Sequence, residues 1–230
     1  MNKAMVFLLG APAAARDDFQ QAALASARTG LAAPLASEAM TVNLVRMPPE
    51  NLPYRPPSDT RVGLTPEYDT IVEIWSPCSA RAVASDVREV LADRVSLFHA
   101  YAVTETLIYH RGGFLQGQPS TGVKLIGRLM FHAAMSDSAV RGSWALHAGL
   151  AGRVHTGSAR YVQNWVDGAL TDPSPPTRGT PIVHFPTERE FREQFVDSPR
   201  GMQAILQNTA HCVAGGPRFY TTEYIIRPIA

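Results

Sequence analysis

The spacing of apolar residues in the second half of the chain predicts four strands and two helices. Strand-like runs, rich in β-branched and aromatic residues, occupy 123–131, 158–166, 182–185 and 219–227. A helical period, with Ser136 as a candidate N-cap, extends to about Val154. A second helical segment begins near Thr187 and is broken at Ser198-Pro199. The predicted order of elements is therefore β-α-β-β-α-β.

The first half of the chain repeats this order. Strand-like apolar runs occupy 4–9, 40–45, 70–75 and 100–109. Helices are predicted from about 16 and over about 79–95. A stretch rich in glycine and polar residues, 111–122, has the composition of a linker. We therefore expect an N-terminal half at 1–110, a linker at 111–122 and a C-terminal half at 123–230.

Short matches between the halves indicate a duplicated unit. The motifs TETLIY and TEYIIR place Glu105 and Glu223 118 positions apart, and Asn43 and Asn164 lie 121 positions apart in similar apolar contexts. Two β-α-β-β-α-β units correspond to two ferredoxin-like folds, each with an antiparallel sheet and both helices on one face. The other face must also be buried, so we predict an α+β fold in which the two sheets stack into a dimeric-type barrel within one chain.

Composition and charge exclude several classes of partner. The chain has 45% hydrophobic and 18% charged residues, and 21 basic residues balance 20 acidic ones. This balance gives no electrostatic footprint for nucleic acid or for a membrane surface, and no run approaches the about 20 apolar residues of a membrane span. Residues 1–15 imitate a signal peptide, but their apolar core is short and is also the first predicted strand. We expect a soluble, cytoplasmic protein.

Common cofactor and metal motifs are absent from the sequence. The two cysteines, Cys78 and Cys212, form neither a disulfide framework nor a metal-binding spacing. There is no G-x-G-x-x-G after a strand, no P-loop, no H-E-x-x-H and no G-x-S-x-G. We therefore expect no nucleotide cofactor and no metal, and the remaining class of site is an apolar small-molecule cavity with a few polar groups.

One helix of the second half carries a candidate for chemistry. Trp144 and His147 share a helical face with Val140, and an offset of 121 aligns them with Ala23 and Ser26 of the first half. Only the second copy places a large aromatic ring and an imidazole there. Two interpretations remain open. His147 is either a core histidine bonded to a backbone carbonyl, or an acid or base in a pocket between helix and sheet.

Four motifs of the second half occur in one order. A strand begins VKLI, a helix contains W-x-x-H-x-x-L (Trp144, His147, Leu150), a strand reads RYVQN, and the last strand contains Thr222-Glu223. In these motifs, over about 122–228, the chain resembles the EthD family of dimeric α+β barrel proteins. The resemblance implies small, often aromatic or polyketide-like ligands and chemistry without a cofactor, in a family commonly described in oxidoreductase terms.

The sequence departs from the family pattern at two strand ends. Phe131-His132 stands where the family tends to carry a basic residue, and Phe185-Pro186 stands where an aromatic residue is usually followed by an acidic one. A particular substrate is therefore not carried over from the family.

Other polar residues are further candidates for the site. Asn164 and Tyr161 could each orient a substrate oxygen, but they alternate on their strand, so only one shares the space of His147 unless a bulge intervenes. His132, His184 and His211 could contact substrate, and for each a structural or surface role is the alternative. Trp144 and Phe131 would supply apolar surface to the substrate.

Two repeated features point to structure rather than chemistry. Glu105 and Glu223 occur in both halves, so we expect buried, partnered carboxylates that serve the fold. Proline-rich loops follow the second strand of each half, at 47–67 and 172–181. We expect these loops to be contact arms, across the barrel or to a second copy of the chain in a homodimer.

These observations predict an enzyme that acts without a nucleotide or metal cofactor on a small hydrophobic, aromatic compound. His147 would transfer a proton, and the reaction would be a lyase, dehydratase, cyclase or cofactor-free oxidation. One alternative is a binding protein without catalysis. The other is a haem protein, because tandem barrels related to this fold hold haem through a histidine of the C-terminal half.

Overall fold

A computed structural model describes residues 1–31, 38–49, 67–113 and 115–228. The N-terminal half has the predicted order of elements. They are β1 (Asn2–Gly10), α1 (Arg16–Ser26), β2 (Ala39–Arg46), β3 (Thr70–Ser76), α2 (Ala80–Leu91) and β4 (Val95–His110). Most of the proline-rich loop at 47–67 lies outside the described residues, so its expected role as a contact arm stays a prediction.

The C-terminal half contains the predicted elements and a small additional ribbon. They are β5 (Val123–Gly127), β6 (Met130–Phe131), α3 (Asp137–Val154), β7 (Arg160–Ala169), β8 (Gly179–Phe185), α4 (Glu188–Glu193), α5 (Pro199–Cys212), β9 (Val213–Gly215) and β10 (Arg218–Arg227). Ser136, Thr187 and Ser198 cap α3, α4 and α5 with their hydroxyl oxygens. None of the helices in the described ranges is long and apolar enough to cross a membrane.

The prediction of one continuous strand over 123–131 is wrong. The chain leaves the barrel after Gly127, because the backbone of Leu129 bonds to Gly179 and Arg178 instead of continuing the ladder. Met130–Phe131 then pairs with Val213–Gly215 as a separate two-stranded ribbon. The strand-like run continues through 123–131, so the sequence pattern does not show that the strand changes its pairing partner.

Eight strands close into one antiparallel barrel. The order in the N-terminal half is β4-β1-β3-β2 and in the C-terminal half β10-β5-β8-β7, the same ferredoxin-like order twice. β2 pairs with β10 and β4 pairs with β7, both antiparallel. The two sheets are therefore joined at their edges as well as facing each other, and this pairing closes the barrel. β4 ends at His110 and β5 begins at Val123, and the division into two halves around a linker stays a prediction.

Strand alternation divides the apolar residues between two faces of the barrel wall. Val6, Leu8 and their neighbours face the helices of the N-terminal half, where Phe19 and Val87 cover them. Smaller apolar clusters lie between the sheet and helices of the C-terminal half. The barrel interior holds a third kind of core, made of residues such as Met5, Phe7, Ile71, Ile126 and Phe219.

Candidate functional site

A cavity of about 90 Å³ lies between α3, α5 and the sheet of the C-terminal half. We call it the helix–sheet cavity. Its walls are largely apolar, with Trp144, Phe195 and Ile205 among them. The polar side chains that line it are those of His147, His155, Tyr161, Thr209, Cys212 and Arg218. The cavity lies where the sequence predicted a pocket, on the face of α3 that carries His147.

His147 is held in one tautomer by a partner on α5. Its Nδ1 donates a hydrogen bond of 2.8 Å to Oδ1 of Asn208, and an amide oxygen can only accept, so Nδ1 carries the proton. Burial lowers the pKa of His147, the hydrogen bond that it donates to Asn208 opposes this shift, and the positive charge of Arg218 lowers the pKa further. The imidazole is therefore neutral at pH 7, with Nε2 unprotonated.

His155 also lines the cavity, and the sequence analysis did not propose it as a site residue. Its Nδ1 donates to the backbone oxygen of Phe195, and its ring lies against the ring of Phe195 with 4.8 Å between centroids. Burial lowers the pKa of His155 to about 4. A neutral histidine bonded to a carbonyl is the structural role that was one of the two interpretations of His147, and His155 fills that role.

Trp144 lies in the wall of the helix–sheet cavity. Its indole is buried at 4% exposure and contacts the ring of Phe131 at 5.5 Å and that of Trp165 at 6.4 Å. Trp144 lines the cavity, whereas Phe131 packs behind it and does not. The prediction that Phe131 contacts substrate is therefore not supported by its position.

Tyr161 and Asn164 lie on opposite faces of β7, as their alternation predicted. Tyr161 lines the helix–sheet cavity, and its hydroxyl accepts a bond of 2.9 Å from Nε2 of Gln163. Burial raises the pKa of Tyr161, so the phenol stays protonated. Asn164 faces the barrel interior, where it accepts from Nζ of Lys3 at 2.9 Å and donates to the backbone oxygen of Thr180. Asn164 therefore does not share a site with His147.

The three other candidate histidines do not line the cavity. His184 is buried on the interior face of β8, because its neighbour Val183 takes the helix-facing position. His132 is exposed and bonds to the backbone oxygen of Ala210, and His211 is exposed on α5. Strand alternation and helix phase turn all three away from the helix–sheet cavity, and their contact with a substrate stays a prediction.

Several cavity residues were missed from the sequence. Thr209 and Cys212 come from α5, and Arg218 begins β10. Asn208, also on α5, bonds to His147 without lining the cavity. Burial raises the pKa of the Cys212 thiol, which is therefore protonated at neutral pH. Among the described ranges, no three His, Cys, Asp or Glu side chains come together as metal ligands. No local pattern marks these residues, because they meet His147 only through the packing of α5 on α3.

The cavity does not fit a haem. Sites for drug-sized ligands have volumes of roughly 300–1,000 Å³, and haem belongs at the upper part of that range. The helix–sheet cavity has about 90 Å³, which is too small for the macrocycle. The residues present therefore do not support the haem alternative.

Glu105 and Glu223 point into the barrel interior, away from the helix–sheet cavity. Glu223 is 1% exposed and accepts from Nζ of Lys124 at 2.6 Å and from Arg160. Glu105 is partly buried and accepts from Nζ of Lys3. The expectation of partnered carboxylates is confirmed, and the lysines that pair with them were not singled out from the sequence.

Comparison with known proteins relates the chain to others through its fold. No family model and no curated protein matches the sequence. Among solved structures, an anthrone oxidase-like protein superposes with a TM-score of 0.56 at 12% identity, over 100% of this chain and 94% of that one. A protein assigned as a monooxygenase from Lactobacillus acidophilus gives 0.55 at 10% identity, over 98% and 96% of the two chains. A dye-decolorizing peroxidase from Bacteroides thetaiotaomicron gives 0.53 at 10% identity, over 96% and 93%.

The chain therefore has the fold of the dimeric α+β barrel proteins, with both ferredoxin-like halves in one polypeptide. The fold class predicted from the duplicated pattern, and the barrel implied by the EthD resemblance, are confirmed. At identities of 12% or less, the likeness extends to the fold, and any activity has to be argued from the site.

Proposed function

We propose that the helix–sheet cavity is the active site of an enzyme in which Nε2 of His147 removes a proton from a small, aromatic substrate. The observation that carries this proposal is the bond from Nδ1 of His147 to Asn208. A neutral imidazole whose Nδ1 proton is fixed by a hydrogen-bond acceptor presents Nε2 as a base. The described residues supply no hydrogen bond to that nitrogen.

The proton balance of the step follows from the side chains of the cavity. A C–H or phenolic O–H bond of the substrate breaks, the proton moves to Nε2, and the bonding electron pair stays on the substrate as a carbanion or phenolate. Oδ1 of Asn208 continues to accept from Nδ1 of the imidazolium. The positive charge of Arg218 lies in the cavity wall, where low dielectric strengthens its attraction for the new anion.

The size of the cavity limits which part of the substrate enters. A cavity of about 150 Å³ holds a benzene molecule, and the helix–sheet cavity has about 90 Å³. We therefore expect only the reacting edge of an aromatic substrate to enter, with the rest of the molecule outside the cavity. The apolar wall formed by Trp144, Phe195 and Ile205 favours an aromatic edge over a polar one.

The reaction that follows proton removal belongs to the same proposal. The structural neighbours include proteins described as a monooxygenase and as anthrone oxidase-like. These descriptions support, by fold-level analogy, an oxidation in which the substrate anion passes its electrons to molecular oxygen as the co-reactant. We propose that the preceding proton removal by His147 uses no nucleotide or metal cofactor. Elimination, cyclisation or lyase cleavage begin with the same proton abstraction and differ in what the anion does next.

Hydrogen exchange of candidate substrates tests the shared first step. The chain is incubated in D₂O with a panel of phenols and aromatic ketones that carry an acidic C–H bond, and proton NMR follows the loss of that signal. The proposal predicts that the protein accelerates exchange for at least one member of the panel. A panel member that binds, as shown by saturation-transfer NMR, but exchanges at its uncatalysed rate would favour the binding protein instead.

A further inference from the structure

A second cavity lies at one end of the barrel interior. We call it the barrel-end cavity. It has about 360 Å³, within the range of small-molecule sites. Apolar side chains line part of it, namely Leu107, Val162, Ile182 and Ile225. Charged side chains line the rest, namely Lys124, Glu73, Glu105, Glu223, Arg160 and Arg227. Because residues alternate along β5, β7 and β8, this cavity and the helix–sheet cavity lie on opposite faces of the same strands.

The charged groups at this end are repeated between the two halves. In the strand registers Lys3 lies opposite Trp75 and Lys124 opposite His184, so the two lysines are equivalent. Asn43 lies opposite Glu223, and Asn164 lies opposite Glu105. The same registers make Ile182 the equivalent of Glu73. Glu73 is therefore an extra carboxylate that only the N-terminal half supplies.

Glu73 breaks the symmetry of the two lysines. Nζ of Lys3 donates to Glu73 at 2.8 Å, to Glu105 at 2.5 Å and to Oδ1 of Asn164 at 2.9 Å, which uses all three of its hydrogens. Nζ of Lys124 donates to Glu73 and to Glu223, each at 2.6 Å.

Asn43, the equivalent of Asn164, does not accept a hydrogen bond from Lys124 as Asn164 does from Lys3. Asn43 donates its Nδ2 to Glu73 at 3.1 Å, and its Oδ1 accepts no bond among the described residues. Lys124 is 2% exposed, and within the described ranges its third hydrogen has no acceptor. A buried ammonium group with an unused hydrogen favours an acceptor in the cavity that it lines.

The balance of charge around the cavity favours an anion. Burial opposes ionisation of Glu73, but Lys124 and Lys3 lower its pKa well below the usual range. Burial also opposes ionisation of Glu223, but the positive charges of Lys124 and Arg160 outweigh it and lower the pKa of Glu223 to about 2. Glu73 and Glu223 are therefore ionised. Among the described residues, three cations line the cavity, namely Lys124, Arg160 and Arg227. A fourth, Lys3, does not line it but bonds to Glu73 and Glu105, so four cations face three glutamates. Burial lowers the pKa of the nearby His110 and keeps it neutral.

We propose that the barrel-end cavity binds a small organic acid through its carboxylate. The carboxylate accepts from Nζ of Lys124 on the side of Arg227, and the apolar body of the ligand lies against Val162, Ile182 and Leu107. This site is separate from the proposed active site, and its ligand need not be the substrate.

Calorimetry with three probes of one shape tests the chemical class on the intact chain. The probes are benzoate, benzamide and benzylammonium. Because a hydrogen bond to a charged group is worth more than a neutral one, benzoate is expected to bind at least about tenfold more tightly than benzamide, and benzylammonium not to bind. Equal binding of benzoate and benzamide, or no binding of benzoate, overturns the proposal.

Variants then locate the bound benzoate. Leu107 is 54% exposed at the cavity, so Leu107→Trp narrows it without disturbing the core and is expected to abolish binding. Leu146→Trp, at an exposed position of α3, is the matched control and should bind as the wild type does. Arg227→Gln is expected to weaken benzoate binding about tenfold and to leave benzamide unchanged. Benzoate binding that survives Leu107→Trp but is lost in Arg218→Gln belongs to the helix–sheet cavity, and contradicts the proposal without touching the proposed activity.

Discussion

At the scale of single residues, the histidines differ through their surroundings. His155 bonds to the carbonyl of Phe195, and burial lowers its pKa to about 4, so it is neutral at pH 7. His147 bonds to the side chain of Asn208 and stays half-buried in the cavity wall. A side-chain amide holds the ring as a carbonyl does, and the incomplete burial of His147 leaves Nε2 a route to a ligand. His155 thus has the structural role that was one interpretation of His147, and the role of His147 as an acid or base stays a proposal.

The titration of His147 is the first prediction at this scale. Burial, with the charge of Arg218, lowers its pKa from the ordinary 6.5, so its Cε1–H resonance should titrate with a midpoint below that value. Arg218→Gln removes the repulsion of the imidazolium, so the midpoint should rise. Arg153→Gln, at an exposed position of the same helix, is the control and should leave the midpoint unchanged. A midpoint above 6.5 in the wild type would contradict the assigned environment.

At the scale of elements, the packing of α3 on β8 sets the position of the cavity wall. Gly179 lets the indole of Trp144 approach the strand. A Cβ atom at Gly179 would lie 2.8 Å from Cη2 of Trp144 and 3.1 Å from Cζ of Phe131. Such distances require the rings to move, and Trp144 lines the helix–sheet cavity together with His147.

Gly179→Ala should therefore destabilise the protein by about 1–3 kcal/mol, measured by urea unfolding. It should also shift the near-ultraviolet circular dichroism of the tryptophans. Gly168→Ala is the matched control, since a Cβ there meets nothing within 4 Å and should change stability by at most about 1 kcal/mol. Equal stability of the two variants would mean that Trp144 is not packed as described.

The elements themselves were largely predictable, and their partners were not. The cap at Ser136, the helix start near Thr187 and the order of strands follow from local pattern, whereas Ser198, interpreted as a helix break, caps α5. The end of β5 at Gly127 does not, because it depends on where Leu129 finds its hydrogen bonds. The same limit applies to the site. His147 is visible in its helix, whereas Asn208 lies 61 residues away, and its contact exists only in the folded chain.

At the scale of the whole molecule, an ionic network ties the two halves together. Lys3 of the first half bonds to Asn164 of the second, and Glu73 of the first half bonds to Lys124 of the second. Equivalent residues recur at near-equal spacings, 121 positions for Asn43 and Asn164 and 118 for Glu105 and Glu223, because each half contributes the same strands to one interior. The sequence pattern contained the pairs Asn43 and Asn164, and Glu105 and Glu223. It did not indicate that they meet at one end of a barrel, since that depends on closure.

This network predicts how stability depends on pH. The pKa of Glu223 falls from 4.5 to about 2 on folding, so its stabilising contribution is present above pH 4.5 and is lost as the pH falls through about 2. Urea unfolding at pH 7 and pH 3 should show a loss of stability in acid that Glu223→Gln reduces. Glu188→Gln is the control, because Glu188 is exposed on α4 and should leave that loss unchanged. An acid loss identical in Glu223→Gln and the wild type would contradict the network.

Proton transfer by His147 is tested most directly by measuring exchange and melting temperature on one preparation of His147→Asn. With a panel member that the wild type exchanges in D₂O, the rate should fall by about 10²–10⁴-fold, the usual contribution of a general base. The melting temperature should stay close to that of the wild type, because His147 is only half-buried. The bond from a cavity histidine to the backbone, at Phe195, is made by His155 and remains in this variant. His211→Asn, at an exposed position, should change neither quantity. A His147→Asn protein that melts at a lower temperature but exchanges substrate at the full rate would contradict the proposed role and make His147 a structural residue.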